Sequence, residues 1–271
     1  MPKLVRQSWV KFSRYLATYG LIHALYRAFR YPAIRLISKY KLRKICDSND
    51  PRIIFERIYN TNWWGEKESI SGTGSTLAYT ESLREGLPVL IKKYAVKRVF
   101  DAPCGDFNWM RSVIELCDVE YFGGDIVPAL IERNRTQYQL RGVKFGVMNL
   151  MSDEFPKADI WICRDCLIHF SYVDMLQTFE NFASSNIEYF LTTTHTNHGH
   201  FENKDIRTGD ARLIDLFSEP FLLTRKYLDA IDDWREPDHP RMMVLFTRQQ
   251  IIDALPKMRR KLIVTPQPSY S

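Results

Sequence analysis

RVFDAPCGDFNWM, residues 98 to 110, is the stretch that decides the fold. Val99 and Phe100 form an apolar run that ends in a carboxylate, Asp101, and passes directly into a turn of mostly small residues, Ala102, Pro103, Cys104, Gly105 and Asp106. A strand that ends this way in a doubly wound sheet delivers its turn to the carboxyl edge, where ligands bind in such folds. Outward from this segment, short β-branched or aromatic runs alternate with longer helical stretches, the pattern of βαβ units around a parallel sheet. Strands are expected near 97–101, 119–125, 143–147, 158–164, 187–194 and 241–247. A helix is expected near 76–93, with Ser75 as its N-cap.

The chemistry of the turn narrows the ligand. A dinucleotide fingerprint needs GxGxxG, so that backbone amides can meet a pyrophosphate, whereas this turn lacks two of the three glycines and opens with a carboxylate that would repel one. S-adenosylmethionine (SAM) instead brings a sulfonium and an ammonium group, which a carboxylate at the strand end suits. A second carboxylate, Asp125 in YFGGDIV, closes the next expected strand 24 residues later. There it is placed to accept hydrogen bonds from both ribose hydroxyls, each worth roughly 1.5–3 kcal/mol to a charged acceptor. Either Asp alone would read as a cap or a surface residue; their placement after consecutive strands favours a nucleoside site.

The spans Trp64 to Ser75, Phe100 to Met110, Tyr121 to Ile126, Cys163 to His169 and Asn203 to Arg212 resemble a bacterial family of class I SAM-dependent methyltransferases, over roughly residues 55 to 250. The resemblance implies an α/β, Rossmann-like fold: a mostly parallel seven-stranded sheet with helices on both faces. It also implies that Asp101 to Asp106 form the cofactor turn, that Asp125, with Ile126 beside it, binds ribose, and that Met148, Asn149 and Leu150 lie beside adenine. Pro103 and Phe107 stand where glycines are common in class I enzymes. Asn149 stands where an Asp often contacts the adenine amino group, a bond that its amide oxygen could still accept.

The fourth expected strand, in ADIWICRDCLIHF, places Arg164, Asp165 and His169 just beyond its carboxyl end, where class I enzymes face the methyl group and its acceptor. Arg164 is assigned to the cofactor. Methyl transfer is an in-line displacement, so the protein chiefly aligns the nucleophile and, for a hydroxyl, removes its proton. His169 is the first candidate base and Asp165 the second; the alternatives are a satisfied half-buried imidazole and a helix cap or ion pair with Arg164. SISGTGST, residues 69–76, contributes Gly74 and Ser75 to the cofactor site through backbone amides. Asn203, Asp205, Thr208, Gly209 and Arg212 form a polar segment of the kind that builds acceptor pockets. Cys163 and Cys166 make a CxxC without a second ligand pair, and His195, His198 and His200 read as a polar loop, so no metal is assigned.

Composition sets the remaining bounds. The chain has 271 residues, 45% of them hydrophobic, enough for one full α/β core. Five cysteines without a scaffold spacing indicate a reducing, cytoplasmic setting. Residues 1–46 carry 11 Lys or Arg and no acidic residue, leaving 27 basic against 32 acidic afterwards. This head, with Trp9, Phe12, Leu16, Tyr19, Ile22 and Phe29 at helical spacing, reads as a basic amphipathic extension broken near Gly20 and Pro32, ahead of a methyltransferase domain at 47–271. It either lies on anionic membrane headgroups or packs on the catalytic domain. Arg27, Arg30, Arg35 and Lys39 interrupt any run approaching the roughly 18 apolar residues of a membrane span. The expected partner is an acceptor hydroxyl, on a sugar or glycan intermediate at the inner membrane face; small-molecule, lipid or nucleic-acid methylation and a non-catalytic SAM-binding protein are the alternatives. Nucleic acid is not the expected substrate, because the body is net acidic and lacks base-methyltransferase signatures.

Overall fold

The structure, a computed structural model, describes residues 31 to 264. They fall into two compact units that divide after Asp47. The first contains helix α1 (Tyr31–Ile45), which has no acidic residue in its first turn and Arg43 and Lys44 in its last, a charge order that suits the helix dipole. The expectations for residues 1–30, including the break near Gly20, lie outside the described residues. No helix among the described residues is long and apolar enough to cross a membrane.

The second unit is a seven-stranded sheet in the order β3-β2-β1-β4-β5-β7-β6. Its strands are β1 (Arg98–Asp101), β2 (Glu120–Asp125), β3 (Val143–Val147), β4 (Ile160–Cys163), β5 (Tyr189–His195), β6 (Asp229–Asp232) and β7 (Arg241–Thr247). β1 to β5 pair in parallel with one another, and β7 runs antiparallel to both β5 and β6. All six located strands form where the sequence predicts them, within one to two residues at each end. β6 is the strand not located, because DAID is four residues long and half acidic, too short to show a period.

Alternation along the strands builds a core on each face of the sheet. Phe100, Trp161, Cys163, Phe190, Val244 and Phe246 point to one face, under α6 (Tyr172–Ser184) and α7 (Arg248–Val264). Val99, Ile160, Ile162, Leu191, Met243 and Leu245 point to the other, under α3 (Glu81–Lys93), α4 (Met110–Ile114) and α5 (Pro128–Gln137). α6 shows how the sequence selects an element: Ser171 caps it by accepting from the Asp174 amide, and Tyr172, Met175, Phe179 and Phe182 form its buried stripe.

The expected helix over 76–93 starts later, at Glu81, with Thr80 as its N-cap. Ser75 is not a cap. It ends a 3₁₀ turn, Thr73–Ser75, and the Thr76 and Thr80 hydroxyls donate back to the Thr73 and Thr76 carbonyls, which keeps 73–80 out of the helix. α2 (Pro51–Asn60) precedes this segment, capped by Asp50, which accepts from the Arg52 amide.

Trp161 is fully buried at the centre of the first core, stacked on Phe190 at 4.4 Å and donating its indole N–H to the Ala102 carbonyl at 2.9 Å. Trp161→Ala is expected to cost about 3–5 kcal/mol in a urea titration, as for other buried aromatic truncations.

Candidate active site

The strand order reverses between β1 and β4, and a crevice at that switch point, on the carboxyl edge, is where α/β sheets bind ligands. A cavity of about 340 Å³ lies there, lined by residues that follow β1, β2 and β4 and by the 70–75 segment, within the roughly 300–1,000 Å³ of ligand sites. Of the residues expected from sequence, Gly74, Ser75, Asp101, Pro103, Cys104, Gly105, Asp106, Asp125, Ile126, Leu150, Arg164, Asp165 and His169 all line it.

Two expected residues do not. Ala102 faces the core, its amide bonded to the Ile162 carbonyl and its carbonyl to Trp161. Asn149 accepts from the Met151 amide through its amide oxygen at 3.1 Å and closes a local turn with Asp153. Met148, Leu150 and Met151 supply the wall there instead.

Asp101 and Asp125 close β1 and β2 and are almost fully buried. Asp101 accepts from the Tyr121 hydroxyl at 2.6 Å, and Asp125 from the Val127 and Gly105 amides at 3.0 and 3.2 Å. Among the described residues neither forms an ion pair with a protein cation. Burial therefore pushes the Asp101 carboxyl up to about 7, and the Asp125 carboxyl up to about 6 against the pull of its amide donors. Asp106 plays a different part. Its carboxylate accepts from Ser69 and Ser71 hydroxyls and the Ile70 amide, tying the 69–71 segment over the turn. Gly105 makes this approach feasible: its φ is +54°, and a Cβ there would stand 2.3 Å from the Ser71 hydroxyl.

Beyond β4, Arg164 is buried and bidentate to Asp233, at 2.9 and 2.8 Å. Asp165, at φ +51°, pairs with Arg241 at 2.9 Å and with Arg164 at 3.6 Å. Burial would raise its carboxyl, but the two guanidinium groups hold it below the usual carboxylate range. Such a carboxylate is a poor proton acceptor. Gly74 lies over this charge cluster, where a Cβ would come within 3.1 Å of the Asp165 carboxylate.

His169 ends the 3₁₀ turn Leu167–His169, half-buried, its ring centroid 5.9 Å from that of Trp64. Its Nδ1 lies 2.8 Å from the Asp210 carbonyl. A carbonyl only accepts, so Nδ1 carries the proton and Nε2 keeps its lone pair. Burial lowers the His169 pKa, favouring the neutral ring.

The segment 203–212, expected to build the acceptor pocket, does not line the cavity but clasps the turn that carries His169. The Gly209 amide donates to the His169 carbonyl, Arg212 donates to the Phe170 and Leu167 carbonyls, and Thr208 accepts from the Ser171 amide. Asp205 accepts from the Tyr172 amide, and Asn203 binds the Asp215 and Glu219 carbonyls. His195 is not in a loop: it ends β5, buried, its Nδ1 accepting from the Ile214 amide, and burial takes its pKa down to about 4. Among the described residues, no three His, Cys, Asp or Glu are grouped to hold a metal.

Sequence reasoning missed Tyr79, Asp233, Asp238 and Arg241. Tyr79 donates to Asp238 at 2.9 Å and lies under the Arg241 guanidinium, 5.0 Å from the ring centroid. Only the β6–β7 pairing brings Asp233 and Arg241 to Arg164, and DWREPDHPR otherwise reads as a solvated loop.

This strand order, with its reversed seventh strand and carboxylates at the ends of β1 and β2, is the fold of class I SAM-dependent methyltransferases. Magnesium protoporphyrin IX methyltransferase from Synechocystis PCC 6803, solved with bound SAH, has a TM-score of 0.53 at 15% identity, covering 73% of this chain and 100% of that one. A SAM-dependent methyltransferase from Leishmania major has a TM-score of 0.55 at 13% identity, covering 75% and 89%. The sequence matches no family model and no curated protein.

Two measurements check the cofactor turn. Asp101→Asn is expected to stabilise the ligand-free protein by about 1–3 kcal/mol at pH 8, because it removes a buried charge whose folded pKa is raised. The sign follows from linkage: folding favours the protonated acid, so the penalty is absent below the unfolded pKa and complete above about 7. Gly105→Ala is expected to cost about 1–2 kcal/mol for its left-handed backbone, with added loss from the displaced Ser71.

Proposed function

We propose that the chain is a SAM-dependent methyltransferase that transfers a methyl group to an acceptor hydroxyl. One observation carries the cofactor: Asp101 and Asp125 are buried at the ends of adjacent strands, unpaired by any cation of the described residues, in a cavity at the switch point of a methyltransferase fold. Asp101 would meet the ammonium group and Asp125 the ribose hydroxyls, while Met148, Leu150 and Met151 would cover the adenine. SAM, when bound, supplies an electrophilic methyl group on a positively charged sulfur.

The chain's own residues then do three things. The 69–75 segment, tied down by Asp106, narrows access of water to the cofactor. Asp165 and Arg241 fix the floor beyond β4. His169, neutral and with Nε2 free to accept, takes the proton of the acceptor hydroxyl. A sugar or glycan intermediate is the acceptor class favoured by the basic segment 1–46, which would hold the enzyme near anionic headgroups.

Calorimetric titration with SAM and S-adenosylhomocysteine (SAH), with NADH and ATP as controls, is expected to show selective micromolar binding of the two adenosyl ligands; absence of both would overturn the reading. The affinity for SAM is expected to fall as pH drops through about 7, where Asp101 takes up a proton. His169→Asn is expected to lower kcat by about 10²–10⁴ while leaving SAH affinity within about threefold. In the wild type, kcat should fall with decreasing pH only below about 6.5, since the His169 pKa lies beneath the ordinary histidine value.

A further inference from the structure

The contacts assigned to the ammonium and ribose groups leave one charge of the cofactor without a partner. SAM and SAH carry a carboxylate beside the ammonium group, and the cavity wall holds Asp101, Asp106, Asp125, Asp165 and Asp238. An anion set among these acids loses affinity unless a positive donor meets it. Among the described residues, the Lys and Arg side chains lining the cavity are Arg164 and Arg241. Arg164 is spent: Nε and Nη2 donate to Asp233 at 2.9 and 2.8 Å, and Nη1 faces Asp165 at 3.6 Å. Arg241 is not. Its Nε donates to the Asp233 carbonyl at 2.7 Å, and Nη2, enclosed by protein, pairs as an ion with Asp165 at 2.9 Å. Nη1 makes no hydrogen bond to a described residue and is not enclosed, so in a side chain that lines the cavity it is the nitrogen open to a ligand.

This nitrogen stands at the end of the cavity where the amino-acid part of the ligand belongs. The Arg241 and Arg164 guanidinium groups lie 5.0 and 5.9 Å from the centroid of the Tyr79 ring, and the Arg164 charge is felt at Asp101, the residue that would meet the ammonium group. Ser75 adds a second donor. It lines the cavity, Asn108 Nδ2 donates to its carbonyl at 3.0 Å, and its hydroxyl bonds to no described residue. The chain brings it beside Arg241, since a Cβ on the preceding Gly74 would stand 3.4 Å from Arg241 Nη2. A guanidinium keeps its charge across the working pH range, and its planar donors suit a carboxylate.

We propose that Arg241, through Nη1, and the Ser75 hydroxyl hold the methionyl carboxylate of the cofactor. This rests on the methyltransferase reading above. Carboxylate and ammonium sit on one carbon of the ligand, so Asp101 and Arg241 together fix that carbon and, through the short chain attached to it, the direction in which the sulfur is presented. An acidic wall with a single open cation selects a zwitterion over a simple cation.

The test is calorimetric titration of the full chain with SAH and with decarboxylated SAH, which keeps the adenosine, the sulfur and the amine and lacks only the carboxylate. Acidic walls alone would favour the decarboxylated ligand, a net cation. The wild type is instead expected to bind SAH more tightly by about tenfold or more, the worth of one hydrogen bond between charged groups. In Arg241→Gln that preference is expected to fall below about threefold, and Ser75→Ala, which removes a neutral donor, to lose about threefold of it. Equal affinities in the wild type, or tighter binding of the decarboxylated ligand, overturn the proposal. So does a preference that persists in Arg241→Gln however far both affinities drop, because the residue then only builds the floor. Should that variant fail to fold, Ser75→Ala takes its place, and an unchanged preference there overturns the proposal. Failure of the wild type to bind either ligand removes instead the methyltransferase reading.

Discussion

Carboxylates at the ends of β1 and β2 are held out of water with only neutral donors around them, and much of the surrounding architecture serves that placement. The Tyr121 hydroxyl and the amides of Gly105 and Val127 provide hydrogen bonds but no countercharge. Arg164, whose charge is felt at Asp101, is matched to Asp233 instead. A protein that neutralised these acids internally would fold more tightly and bind a cationic ligand less well. Stability is given up at the strand ends and restored in the two cores, where Trp161, Phe190 and Phe246 on one face and Ile160, Ile162 and Leu245 on the other are fully buried.

The charges beyond β4 follow the opposite rule. Arg164, Asp165, Asp233 and Arg241 form an alternating chain of two cations and two anions, drawn from the ends of β4 and from the β6–β7 hairpin. Its members pair with one another as ions, and the cluster forms the floor of the adjoining site. Gly74 fits over it because any side chain at that position would press on the Asp165 carboxylate. The cover of the cavity and its floor therefore meet at a residue without a side chain.

What could be read in the sequence was whatever is local. Strand alternation, the passage from Phe100 through Asp101 into the turn, and the recurrence of a carboxylate at Asp125 each lie within a few residues, and the strands formed where the pattern put them. Roles that depend on distant pairing were not legible. Asp233 and Arg241 acquire theirs only when β7 docks antiparallel on β5, and the donor to the Asn149 amide oxygen is a backbone amide, that of Met151, which no side-chain pattern announces. The 203–212 segment shows the same limit: its polar residues were recognisable as purposeful, but most of their partners are backbone groups, which no side-chain pattern encodes.

That last point bears on how this site tolerates change. The proton on His169 is directed by the Asp210 carbonyl, an atom that every amino acid carries. Residue 210 is thus free to drift in identity so long as the path of the chain is kept, and the orientation of the imidazole is inherited from the shape of a loop instead of from a partner that a single substitution could delete.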